Sequence, residues 1–99
     1  MHKLKYLPLA LNDLMVISSY ITHILNAPKA ASDLIDNLDN SISRLQQFPY
    51  SCKVYQPMES LKLEYRMLPV KNYRVFYVAT EHEVEIHRII YAKMNLEKL

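Results

Sequence analysis

Near residue 50 the apolar side chains of this sequence change from a helical period to that of a pleated strand, and few folds accommodate that change. Before it, Leu14, Ile17, Ile21, Ile24 and Leu25 recur at the three- and four-residue steps that line one side of a helix. Asn26-Ala27-Pro28 interrupts, and Pro28 suits the first turn of a second helix, where its missing N–H costs nothing. Ala31, Leu34, Ile35, Leu38, Ile42 and Leu45 form the second stripe, with Asp33, Asp36, Asp39 and Arg44 outside it. Phe48-Pro49 ends that helix, because the residue before proline disfavours the helical region. Two amphipathic helices joined by so short a link pack antiparallel, as a hairpin.

After residue 50 the pattern is different. Residues 50–62, with Ser51, Pro57 and Ser60, show no period and read as a loop holding a short extended piece at Lys53–Tyr55. Tyr65–Val70, Tyr73–Ala79 and Val84–Tyr91 are rich in Tyr, Val, Ile and Phe, which suit a pleated surface. Lys71-Asn72 and Thr80-Glu81-His82-Glu83 separate them at hairpin lengths. At the amino end Lys3–Leu7 reads as a strand, with Leu4 and Tyr6 on one side, before Pro8 opens the first helix. The expectation is an α+β fold: an N-terminal strand and a two-helix hairpin packed on an antiparallel β-sheet, in one domain spanning residues 1–99.

Composition removes several function classes. Glycine is absent, so a Walker or dinucleotide phosphate cradle is excluded, and turns fall to Asn, Asp, Pro or Ser. The single cysteine, Cys52, cannot close an internal disulfide or build a zinc ribbon. Leu14–Ile21 is too short for a membrane span, and nothing at the amino end resembles a signal peptide, so a cytoplasmic protein is expected. The net charge is +2, unevenly divided: residues 1–49 hold four basic and four acidic side chains, and residues 50–99 hold the remaining eight and six of the 12 and 10.

Three arginines interrupt apolar strands: Arg66, Arg74 and Arg88. Arg88 stands in the alternation Val84, Ile86, Arg88, Ile90, which looks core-facing, so it needs a partner or a wet cleft. A structural ion pair (to Glu64, Glu83 or Asp33) and a phosphate contact stand equal, since one guanidinium geometry serves both. Of the eight tyrosines, Tyr77 reads as core, whereas Tyr91, beside Lys93, is the better functional candidate. His2, His23, His82 and His87 lack metal-ligand spacing, and Glu81, Glu83 and Glu85 read as a solvated face.

The order strand, helical hairpin, loop, three-stranded meander resembles the RelE/ParE superfamily of toxins. Three stretches carry the likeness: Asn12-Asp13-Leu14 through Leu45-Gln46-Gln47-Phe48-Pro49, Tyr65-Arg66-Met67-Leu68-Pro69-Val70-Lys71-Asn72-Tyr73-Arg74-Val75-Phe76-Tyr77, and Val84–Asn95. The resemblance implies the toxin half of a type II toxin–antitoxin module. The expected activity is that of RelE-type members, which cut messenger RNA on the ribosome without a metal or cofactor, with the ParE-type activity as the alternative. By position, the cleavage would rest on Arg66, Arg74, Tyr91 and Lys93 around one sheet face, with Lys71, Arg88 and His87 as RNA contacts. This chain departs from RelE in lacking two close lysines in the earlier strand, where Met67 or Leu68 stands. ParE-type members instead inhibit DNA gyrase without nuclease chemistry. Either type implies a cognate antitoxin as partner, alongside the ribosome and mRNA or DNA gyrase, and no membrane.

Overall fold

The computed structural model describes residues 1–55 and 63–93. β1 (Lys3–Tyr6) leads into α1 (Pro8–Ser19), which a π-helical turn (Tyr20–Ile24) extends. α2 (Pro28–Ser43) runs back and tightens into a 3-10 turn at Arg44–Gln46. The meander follows as β2 (Arg66–Val70), β3 (Tyr73–Ala79) and β4 (Glu83–Tyr91), within a residue of the expected bounds. Pro8 and Pro28 each open a helix, as their fixed φ predicts. Of the expected loop, residues 56–62 lie outside the described residues, as do Met94 and Asn95. The piece at Lys53–Tyr55 is extended: Val54 bridges Arg66, and Tyr55 N donates to Tyr65 O at 2.7 Å.

The sheet order is β1-β4-β3-β2, and it is mixed, not antiparallel throughout. β1 joins β4 in parallel, with Lys3 beside Glu83 and Tyr6 beside Ile86. No hairpin constrains this pair. The intervening chain, helices included, supplies the long crossover that parallel neighbours require.

The core lies between the hairpin and one sheet face, where Leu38, Ile42, Val75, Tyr77, Val84 and Ile86 are fully buried. Ala31, Leu38, Ile42 and Leu45 are buried as the second stripe predicts. The first stripe fails at its end, because Ile24 and Leu25 are 67% and 55% exposed. The π turn explains this: Leu25 N donates to Tyr20 O at 3.1 Å, a five-residue step. The extra residue rotates later positions off the buried side.

A second irregularity overturns the expected facing of Arg88. Between β3 and β4 the register slips: Phe76 pairs with Arg88, but Tyr77 pairs with Ile86, leaving His87 as an extra residue. This β-bulge reverses the alternation. Val84, Ile86 and Ile89 thus join the helix-side core, and Arg88 falls out of phase with it. The glycine-free turns also differ from expectation in one place. Lys71, and not only an Asn, adopts a left-handed φ of 54°, beside Asn26 at 51°. Among the described residues no helix is long and apolar enough to cross a membrane.

Candidate functional site: a tyrosine-lined cleft and a divided set of cations

Where β1 stops, β4 continues without a neighbour on that side, and α1 supplies one. Asp13 Oδ2 accepts from Arg88 Nε at 2.9 Å and from the Ile89 N–H at 2.8 Å, while its Oδ1 accepts from Arg88 Nη2 at 3.1 Å. The structural ion pair is therefore the observed role of Arg88, with Asp13 as partner instead of Glu64, Glu83 or Asp33. The hydrogen bonds to Asp13 also raise the guanidinium's pKa.

Beside this clamp the hairpin and the sheet part to form an open cleft of about 860 Å³. Its walls are largely apolar (Val16, Ile17, Ile21, Leu25, Leu34), with Tyr20, Tyr73 and Tyr91 among them and Lys71 and Arg88 in the lining. Tyr73 and Tyr91 meet edge to face at 5.5 Å. Burial, then the neighbouring Tyr91 and Tyr20 phenols, raises the Tyr73 pKa, so Tyr73 stays a neutral hydrogen-bonding group at physiological pH. Val16, Tyr20 and Leu25 in these walls are each more than half exposed.

The expected catalytic residues do not share a sheet face. Arg66 pairs across from Tyr77 and so lies on the helix side; Arg74 pairs with Pro69 and Ile90 on the other. Tyr91 is on the helix side, but opposite Tyr73, four residues along β3 from Arg66's partner, roughly 13 Å away. Lys93 follows the end of β4 and is exposed. Both arginines also serve their own backbone. Arg66 donates to Cys52 O at 2.7 Å, lies 5.1 Å over the Tyr50 ring and approaches Glu64 at 3.5 Å. It thereby fastens the segment after α2 to the sheet edge, as does the buried Tyr77 hydroxyl, which donates to Pro49 O at 3.0 Å. Arg74 donates to Lys71 O at 3.3 Å and Tyr73 O at 2.9 Å. Of the expected RNA contacts, Lys71 and Arg88 line the cleft, whereas His87 stands apart.

At the bulge, His87 Nδ1 lies 3.1 Å from the Tyr65 hydroxyl, and Nε2 lies 3.2 Å from Glu85 Oε1. Glu85 is thus not merely a solvated face residue: it orients the imidazole, and the hydrogen bond from His87 lowers the carboxyl's pKa. A depressed carboxyl stabilises fully above its unfolded value of 4.5 and loses that contribution as pH falls through its folded value. Glu85→Gln should therefore flatten the acid limb of stability below about pH 5, read from urea midpoints. An unchanged acid limb would show the carboxylate contributes nothing. Among the described residues no His, Cys, Asp or Glu cluster is arranged to hold a metal.

Sequence reasoning missed Asp13, Tyr20 and Glu85. Asp13 had a signal: it is the one charged side chain between Pro8 and Pro28, and a lone carboxylate in an apolar helix needs a partner.

Comparison with known proteins gives this geometry a family. The family model described as the ParE toxin of type II toxin–antitoxin system, parDE, matches residues 4–96. No curated protein matches the sequence. A chromosomal ParDE toxin–antitoxin system from P. aeruginosa has the same fold, with a TM-score of 0.77 at 20% identity, over 94% of this chain and 98% of that one. A chain of the E. coli DinJ–YafQ toxin–antitoxin complex is more distant, with a TM-score of 0.59 at 14% identity over 91% of each chain. With 4–96 covered by one family model, the chain belongs to the ParE toxins of type II toxin–antitoxin systems.

Proposed function

We propose that this toxin arrests growth by binding DNA gyrase, as ParE-type toxins do, and that residues 1–99 act as one toxin domain in the cytoplasm without a cofactor. The observation that carries the reading is the separation of Arg66 from Arg74, Tyr91 and Lys93. Metal-free RNA cleavage needs a base, an acid and cations within reach of one phosphate. Here the two guanidinium groups lie on opposite faces, each hydrogen-bonded to backbone carbonyls. A surface that works by binding has no such requirement.

The partner in this reading is a cognate antitoxin, a segment of which occupies the cleft. The apolar walls would take its large side chains, and both structural relatives are toxin–antitoxin systems by their descriptions.

A second reading, ribosome-dependent cleavage of messenger RNA, has one observation in its favour. The Glu85–His87–Tyr65 chain is an oriented acid–base pair that the four expected residues do not include. One experiment separates the two. Purified toxin should block supercoiling of relaxed plasmid by gyrase and leave message intact on programmed ribosomes. Cleaved message with gyrase unaffected would reject the gyrase reading, and loss of that cleavage in His87→Gln would place the chemistry at the bulge.

A further inference from the structure

We infer that a second copy of this chain docks on the outward face of α1, antiparallel to it, so that the toxin self-associates through this helix. The two helices of the hairpin meet solvent differently. α2 exposes Asp33, Asp36 and Asp39, and Lys29 pairs with Asp33 at 3.2 Å in full view of solvent. α1 and its π turn instead expose Leu9, Leu11, Met15, Val16, Tyr20 and Ile24, each between 49% and 70% open. Asn12, Ser19 and His23 lie among them, and no Lys, Arg, Asp or Glu does. Asp13, the one carboxylate of α1, is held by Arg88 and the Ile89 N–H. A helix apolar on all sides belongs inside a structure, not against water.

A face without charge gives an oppositely charged partner nothing to recognise, but it suits its own image. A two-fold axis brings it against itself without burying an unpaired charge. An antiparallel pair crossing between Met15 and Val16 also matches residues by kind. Leu11 then meets Tyr20 of the second copy, Asn12 meets its Ser19, and Met15 meets its Val16. From Pro8 to Ile24 the helix and its π turn rise about 25 Å, enough for contact over several turns. Opposed macrodipoles favour this direction over a parallel pair.

The six apolar side chains present roughly 600 Å², the upper end of the largest apolar patch on a typical monomer. With Asn12, Ser19 and His23 the face approaches the roughly 800 Å² that each partner gives to a standard interface. The sheet edges offer no such route. β1 is four residues long and exposes Lys3 and Lys5, and the outer edge of β2 is met by Val54. Asn12, Val16 and Tyr20 also border the cleft, which lies on the sheet side of them, between the hairpin and β4. The inference rests neither on the gyrase reading nor on what fills the cleft.

The test is sedimentation equilibrium of the full chain, whose mass should rise from 11.7 kDa toward twice that value with concentration. An interface of this size without ion pairs predicts a midpoint on the order of 10–100 μM. Met15→Lys keeps a good helix former and sets two like charges at the crossing, so it should weaken association at least about tenfold. Asp36→Lys places the same residue on the exposed side of α2 and should leave the midpoint unchanged. In a Cys52→Ser background, Met15→Cys should cross-link to itself under mild oxidation, whereas Leu9→Cys, far from the crossing, should not. The inference is overturned by a chain still at 11.7 kDa near about 1 mM, well above that midpoint. It is equally overturned by an unchanged midpoint in folded Met15→Lys or by cross-linking at Leu9. A monomer that pellets with phosphatidylcholine vesicles, and stops doing so as Met15→Lys, would reject the second copy and assign the face to lipid.

Discussion

Phe76→Ala should destabilise the protein by about 3–5 kcal/mol, as truncation of a buried aromatic does elsewhere. Phe76 is fully buried, yet it lies outside the core beneath the helices. Tyr55 packs against it, its ring meeting Phe76 edge to face at 5.0 Å, on the sheet face away from the hairpin. The loss has two parts, the cavity and the aromatic pair, of which the pair contributes about 0.5–1.5 kcal/mol. Tyr55→Ala should therefore cost less than Phe76→Ala, and the double variant less than the sum. Against a total stability of roughly 5–15 kcal/mol, the phenylalanine variant would sit near the edge of folding. Urea denaturation measures it. A cost under about 1 kcal/mol would mean that this face collapses readily around the gap.

Asp13→Ala should come next, at about 2–3 kcal/mol, below the range for fully buried pairs because both side chains keep some water contact. Asp13 and Arg88 retain 13% and 26% side-chain exposure. The substitution strands two donors at once, the Arg88 guanidinium and the Ile89 N–H, at the point where β4 has lost its neighbour. Asp13→Asn, which still offers one acceptor oxygen, should recover part of the loss. For a domain of this size the alanine variant should melt roughly 10–20 °C lower. A melting point within about 2 °C of the parent would show that water replaces the clamp without cost.

Much of the fold was legible because it depends on local pattern. The meander could be read from β-rich runs and short turns, and α2 from a stripe that holds over its length. Three departures had causes that no local pattern records. The parallel pairing of β1 is a long-range choice. The π turn and the bulge each add one residue, and a single insertion rephases every side chain beyond it. The site was less legible for the same reason. Arg88 could be recognised as needing a partner, but identifying Asp13 required knowing that β1 stops at Tyr6. Arg66 and Arg74 look alike in sequence, and only cross-strand register places them on opposite faces. Leu25 looks like core until the π turn and the cleft beside it are seen.

The parallel pairing of β1 with β4 also sets when the toxin can come into being. Lys3 meets Glu83, a separation of 83 − 3 = 80 residues. Closing so long a loop is slow, and it has to wait for the last strand of the sheet. A chain emerging amino end first can form its hairpin early but cannot complete the sheet until Tyr91 has followed. The Asp13 clamp and the cleft both draw on β4, so they too are absent until then. The cleft is thus a property of a chain made at least as far as Tyr91, and synthesis itself imposes an interval before that surface exists.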